Sequence, residues 1–250
     1  MARRKKLKVS PSNLKFFFFF GLIATLIFGG YQAGRYFLFH LNYFKIRGIA
    51  VDPSLPFIDK KELAGLIGKP IFLVNLDGLQ EKLSGKYPQA AHLKIVKRYP
   101  DQVAIIAKKR LPLAWIIVKD RSFFLDAEGV LLPKNEQLMN DLPLVLGWQA
   151  TAGKIHLGRV FPGDDIQTAL EIIKSFKANK IFFRYHLDKS NVRNLSGISM
   201  EVSNTAVIID KDKIDEKMDI LGIMLSQRGL DLSQIKYIDL RFKEPIISKR

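Results

Sequence analysis

Residues 93–114 read LKIVKRYPDQVAIIAKKRLPLA, and the fold of the chain follows from how that stretch is punctuated. Leu93-Lys94-Ile95-Val96-Lys97-Arg98 and Val103-Ala104-Ile105-Ile106-Ala107 have strand composition. Between them Tyr99-Pro100-Asp101 supplies the residues of a turn, so the pair reads as a hairpin. Upstream, Phe44-Lys45-Ile46-Arg47 and Ile49-Ala50-Val51 alternate as a half-buried strand does, and Asp52-Pro53-Ser54 breaks it. Asp59, three residues before Glu62, has the spacing of a capping box opening a helix. Leu63, Leu66 and Ile67 are its apolar face and Gly68 its C-terminal cap. A second helix carries Leu76, Leu79 and Leu83 and stops near Gly85. The order β-α-α-β-β puts two small helices on one face of a three-stranded sheet and leaves a strand edge free to pair.

Downstream, Trp115–Val118 and Ser122–Leu125 read as paired strands, and Asp126-Ala127-Glu128-Gly129 turns the chain into Val130-Leu131-Leu132. Asp164 or Asp165 caps a helix that buries Ile166, Leu170, Ile173 and Phe176. Strands are expected at Ile181–Leu187, Gly197–Val202 and Ala206–Ile209. Asp212 then caps a helix with Ile214, Met218, Leu221 and Leu225 at core spacing, ended by Gly229. The last strand is Tyr237-Ile238-Asp239-Leu240-Arg241-Phe242. The fold class is therefore α+β, with a mixed domain built on an antiparallel-rich sheet behind the β-α-α-β-β module.

At the other end, residues 16–34 read FFFFFGLIATLIFGGYQAG, nineteen residues without a charge. A helix of that length covers about 28 Å, close to the hydrocarbon thickness of a bilayer. Arg3, Arg4, Lys5, Lys6, Lys8 and Lys15 precede it with no acidic residue among them, which holds the N-terminus in the cytoplasm. Tyr31, Tyr36, Phe37 and Tyr43, mixed with Arg35 and His40, suit an outer interface. A cleaved signal peptide has a shorter apolar region and small residues at its cleavage site. Here the best candidate, after Ala33, puts Tyr31 where a small residue belongs. Five consecutive Phe leave no polar face for a buried core helix. The reading is a single uncleaved transmembrane helix with the folded bulk outside the cytoplasm.

The net charge of +16 first suggests nucleic acid. Six of those charges lie before Phe16, however, and the rest is interleaved with Asp and Glu. The tail suits anionic lipid better. The chain has no Cys, which removes thiolate zinc sites, Cys nucleophiles and disulfides together. His40, His92, His156 and His186 are isolated, with no metal-binding spacing. Gly-x-Ser-x-Gly, Walker and Gly-x-Gly-x-x-Gly motifs are all missing. Asp164-Asp165 suits a helix start, and Asp120, Asp126 and Glu128 surround a turn. No catalytic, cofactor-binding or metal-binding residue is assigned, and neither nucleic acid nor a small-molecule substrate is expected.

Taken in order, YFKIRGIAV (43–51), IGKPIFLVNLDGLQEKLSGKYP (67–88), LKIVKRYPDQVAIIAKKRLPLA (93–114) and FFLDAEGVLL (123–132) resemble the POTRA module and following segment of the FtsQ/DivIB cell-division proteins. The matched features are Ile-x-x-Ile-x-Val, Gly-x-x-Ile-Phe, Lys-Arg-Tyr-Pro-Asp, Arg-x-Pro-x-Ala and Asp-x-x-Gly-x-x-Leu. Pro143-Leu144-Val145-Leu146 resembles a further connection of the family, with Gly147 in place. Tyr237, Asp239, Leu240, Arg241 and Phe242 match its closing Tyr-x-Asp-Leu-Arg-aromatic strand.

The resemblance implies a basic tail (1–15), an anchor with its outer interface (16–41), a POTRA-like domain (43–111), an FtsQ-type β domain (112–247) and a basic tip (248–250). It further implies a noncatalytic divisome scaffold in the bacterial inner membrane at the septum. FtsB- and FtsL-like coiled-coil proteins would bind the last strand, other division proteins the POTRA module. By position Arg241, Phe242 and Glu244 fall at or beside that edge. Arg would offer a fork for a carboxylate and Phe an apolar anchor. Ile246 and Ile247 would extend the strand unless Pro245 interrupts it, and Arg193 reaches the same surface. A POTRA-bearing component of polypeptide translocation or envelope assembly is the alternative, although such proteins usually carry several POTRA units or a barrel. Residues alone leave open an anchored hydrolase with an unrecognised site.

Overall fold

The computed structural model describes residues 11–149, 156–227 and 231–250. The tail cations Arg3 to Lys8 and the helix stop expected at Gly229 lie outside them. The described residues fall into two compact units, 11–80 with 94–106 and the described part of 81–93 with 107–250, and the second helix and the two strands at 90–98 and 102–109 run from one into the other.

The first unit begins with α1 (Pro11–His40). Its segment Lys15–Phe37 is long and apolar enough to cross a membrane and is not buried within the protein. At 1.5 Å per residue those 23 residues extend about 35 Å. The helix therefore runs on through Arg35, whose guanidinium lies 5.9 Å from the Tyr31 ring centre.

A three-stranded sheet follows, in the order β1 (Gly48–Val51), β3 (Gln102–Lys109), β2 (Ala90–Arg98). β1 pairs parallel with β3, from Gly48 opposite Gln102 to Val51 opposite Ile105. The β-α-α-β-β order holds, with one change: the first helix is a 3-10 helix, Lys60–Leu66. Asp59 caps it by accepting from the Lys61 amide at 2.8 Å, and Leu63 is its one buried residue. Ile67, expected on the apolar face, is exposed. Seven residues containing Gly65 are too few to sustain an α-helix, and 3-10 geometry presents a single i, i+3 stripe. Gly68 at φ +82° takes the left-handed conformation that ends the segment. The second helix, α2, is Asp77–Lys86, with Leu83 buried.

The second unit is a nine-stranded sheet. Its strands are β4 (Pro112–Val118), β5 (Arg121–Asp126), β6 (Leu131–Leu132), β7 (Leu144–Leu146), β8 (Leu187–Asn191), β9 (Ile198–Val202), β10 (Thr205–Ile209), β11 (Ile235–Asp239) and β12 (Ile246–Lys249). Their order is β12-β11-β10-β9-β8-β7-β4-β5-β6. Antiparallel pairs outnumber parallel ones, the parallel pairs being β10–β11, β4–β7 and β7–β8. Two hairpins turn on adjacent residues of positive φ, Lys119-Asp120 and Ser203-Asn204, the two-residue turn whose twist matches the strands. Ile116, Leu125, Ile198, Met200, Val207 and Ile238 form a core with residues of α3 (Asp164–Ala178) and α4 (Ile214–Ser226).

Three expected elements differ. Residues 181–187 are not one strand: Lys180–Arg184 is a 3-10 turn capped by Asn179, and β8 starts at Leu187. The apolar run Ile181-Phe182-Phe183 does not alternate, and Phe182 instead stacks on Phe176 with ring centres 4.3 Å apart. Asp164 and Asp165 occupy the first turn of α3, and the capping position belongs to Gly163 at φ +131°. Their charge suits the helix N-terminus without capping it. Nor does Asp212 cap α4. Lys213 takes that position at φ +56°, while the Asp212 amide donates to the Asp210 carboxylate at 2.8 Å.

Candidate partner-binding edge

β11 carries the first half of the family-like closing motif, from Tyr237 to Asp239. Its register with β10 places Ala206 opposite Tyr237 and Ile208 opposite Asp239, and Leu240 continues the ladder by donating to the Ile208 carbonyl at 2.8 Å. The strand stops there. Ile246 and Ile247 do not extend it: residues 240–245 turn, and β12 returns antiparallel, with Ile247 opposite Ile238 and Ile246 opposite Asp239. Pro245, which has no N–H to give a ladder, sits at that break. Among the described residues β12 is thus an outer strand of the sheet, paired with β11 alone. Ile246 and Ile247 are both exposed.

The turn is held by charge. Asp239, nearly buried, receives the Arg241 guanidinium through a fork, Nε to Oδ1 at 3.0 Å and Nη2 to Oδ2 at 2.7 Å. The same guanidinium stands 5.6 Å from the ring centre of the exposed Phe242. Its Nη1 faces the Ser196 carbonyl at 3.5 Å and the space where a Cβ on Gly197 would lie. Arg241 therefore orders the rim of the edge while remaining partly exposed. Its hydrogen bond holds the Asp239 carboxyl below its ordinary value against the opposing effect of burial. At Asp210, one residue past β10, burial acts upward. The hydrogen bonds from Lys217 and the Asp212 amide, and the fields of Lys217 and Arg241, outweigh it and leave that carboxyl lowered too. Lys217, on α4, also donates to the Asp212 carbonyl at 2.7 Å.

Glu244 lies exposed in the turn before β12. Arg193 lies in the β8–β9 loop, the loop whose Ser196 carbonyl the Arg241 guanidinium faces. Its carbonyl accepts from Gln149 Nε2 at 3.2 Å and its amide donates to Asn191 at 3.1 Å, and three strands, β11, β10 and β9, stand between β8 and β12. Arg241, Phe242, Glu244 and Ile246 thus lie on or beside the turn into β12, while Arg193 sits in the β8–β9 loop. Lys217, Asp210 and Ser196, which brace it, were not legible as site residues. Asp210 directly after an apolar strand was the one available signal.

Two other family-like motifs meet. Arg110, of Arg-x-Pro-x-Ala, ion-pairs with Asp126, of Asp-x-x-Gly-x-x-Leu, and with Glu128 at 2.8 Å. Asp126 also accepts from the Glu128 and Val130 amides at 2.9 and 2.8 Å, so one buried carboxylate shapes the whole turn. Among the described residues no group of three His, Asp or Glu is placed to hold a metal ion.

The chain is 26% identical over 237 residues to the cell division protein FtsQ of Syntrophotalea carbinolica, covering 91% of this chain and 80% of that protein. To the cell division protein DivIB of Clostridium acetobutylicum it is 28% identical over 220 residues, 84% of this chain and 83% of the relative. This chain is similar to the FtsQ/DivIB cell-division proteins over most of its length. A third relative, FtsQ of Geotalea daltonii, is 23% identical over 218 residues, 84% of this chain and 77% of that protein. No protein-family profile matches the chain. The FtsQ/DivIB likeness extends over most of the sequence, so it embraces both sheets, and the membrane-length α1 agrees with an anchored cell-division protein.

Proposed function

We propose that this FtsQ/DivIB-like chain is a noncatalytic divisome scaffold that captures an FtsB/FtsL-like, membrane-anchored coiled-coil pair by strand addition to β12. The observation that carries the reading is the outer position of β12, paired among the described residues with β11 alone, and its exposed Ile246 and Ile247. A partner strand laid there gains main-chain hydrogen bonds, and alternate side chains select it. Arg241 keeps the turn rigid through Asp239, Phe242 offers an apolar anchor, and Glu244 sets charge at the rim. Arg193, in the β8–β9 loop beside Arg241, extends the rim. The POTRA-like domain (43–111) contacts other division membrane proteins, and the β domain (112–247) carries the edge. The basic tail lies in the cytoplasm, the two domains outside it, and the chain works at the septum.

The test uses the full chain in nanodiscs and the FtsB–FtsL pair of the same organism. Wild type is expected to bind. Ile247→Lys, which changes an exposed side chain, is expected to weaken binding at least tenfold, about 1.4 kcal/mol, without changing the unfolding midpoint. Undiminished binding by a folded Ile247→Lys variant overturns the β12 reading, and no binding by wild type overturns the partner.

A further inference from the structure

The first unit carries an unexplained aromatic end close to the membrane helix. Four rings run in contact: Tyr43 on Phe44 at 5.1 Å, Phe44 on Phe72 at 5.2 Å and Phe72 on Tyr99 at 5.3 Å. The backbone draws them together. Ile71 donates to the Phe44 carbonyl at 2.9 Å, and Arg47 donates to the Asp101 carbonyl at 2.8 Å, tying the β2–β3 turn to the same end. Tyr43 and Tyr99 are each 61% exposed and Leu73 is 64% exposed, an unusual concentration of large apolar groups on one small module. Lys45, Arg47, Lys69, Lys97 and Arg98 surround them in sequence, against Asp101 as the one acid in those segments.

What covers this end follows from the chain's own connectivity. α1 ends at His40 and Tyr43 is three residues on, so its Cα lies within roughly 11 Å of the helix end. If α1 spans a bilayer, the aromatic end is confined to its surface. Tyr and basic side chains with apolar stems are the residues favoured at that boundary.

We propose that Tyr43, Leu73 and Tyr99 form a lipid-contacting foot, seated in the headgroup region of the bilayer that α1 crosses, with the neighbouring cations facing lipid phosphates. The foot fixes the pitch of the module on the membrane. The inference rests on the membrane-anchor reading of α1.

The chain has no Cys, so single-Cys variants carry a nitroxide at one site each. Full-length Phe28→Cys, Tyr43→Cys, Leu73→Cys, Tyr99→Cys and Ser54→Cys chains would go singly into nanodiscs containing anionic lipid. Accessibility to oxygen and to a water-soluble nickel chelate would be read for each, after circular dichroism confirms the fold. Ser54 lies past the far end of β1 and serves as the aqueous reference. The proposal expects Leu73 and Tyr99 labels to favour oxygen over nickel several-fold relative to Ser54, with Phe28 more strongly shielded still. Phe28 shielded but Leu73 and Tyr99 as nickel-accessible as Ser54 overturns the foot and leaves the anchor standing. Labels hidden from both reagents mark a protein contact and also overturn it. Phe28 open to nickel removes the anchor, and the proposal with it.

Discussion

Replacing Asp126 by Ala tests whether one buried carboxylate organises the turn after β5. Asp126 is 4% exposed and holds three donors: the Arg110 guanidinium and the amides of Glu128 and Val130. Val130 is buried, so its orphaned amide costs about 1–3 kcal/mol. Breaking a buried ion pair costs about 3–5 kcal/mol when the remaining charge has no other partner. Arg110 keeps Glu128, itself half-exposed, which removes much of that penalty. The net expectation is about 3 kcal/mol of lost stability. With a urea slope of about 2 kcal/mol/M, the midpoint falls by about 1.5 M. The two tryptophans, Trp115 and Trp148, both lie in the second unit, so their fluorescence reports this unfolding in the full chain. Asp126→Asn, which keeps an acceptor, should lose about half as much. Glu128→Ala, removing an exposed partner, should lose less than about 1 kcal/mol. An Asp126→Ala midpoint within 0.3 M of wild type (roughly 0.6 kcal/mol) would refute the reasoning.

Three further outcomes follow from the same geometry. Asp210 and Asp239 have lowered carboxyl pKa values in the fold, so their contribution is present above the ordinary carboxylate value and lost as pH falls through the lowered one. Urea midpoints of wild type should therefore drop steeply below about pH 4, and Asp210→Asn with Asp239→Asn should flatten that slope. At Gly147, φ is +76° and an added Cβ would lie 2.3 Å from Asn191 Oδ1 and 2.7 Å from the Arg193 backbone nitrogen. Gly147→Ala should cost about 2–4 kcal/mol, measured in the same urea titration. Asp239→Ala should raise the proteolysis rate within residues 240–245 in limited digestion, because Arg241 then loses the fork that holds the turn.

Much of this was legible from residue pattern alone. The hairpin at 93–107 could be read because Pro100 and Asp101 interrupt two strand-like runs. β9 and β10 could be read because their buried residues alternate, Ile198, Met200 and Val202 on one and Val207 and Ile209 on the other. Where the reading failed, a local side-chain contact outweighed the pattern. Phe182 is held by stacking on Phe176, and that turned an apparent strand into a 3-10 turn. Asp210 captures the Asp212 amide, and that moved the start of α4 to Lys213. The return of β12 was hidden because nothing within Ile246–Lys249 distinguishes an extension of β11 from a strand folded back on it. Pro245 marks the break but not the direction of the chain after it. The closing motif pointed to Arg241 and Phe242, yet Arg241's engagement with Asp239 depends on the turn geometry. Arg193 was placed by alignment of motifs, and the structure sets it in the β8–β9 loop, where Ser196 meets Arg241.

The most direct measurement is backbone hydrogen exchange of the full chain in nanodiscs, with and without the FtsB–FtsL pair. The β12 amides that point away from β11 are predicted to exchange fast in the free protein and to become protected on binding, while those of β6 at the opposite side of the sheet do not change. Protection that appears elsewhere on the chain, with those β12 amides still exchanging fast in the bound state, would contradict the account.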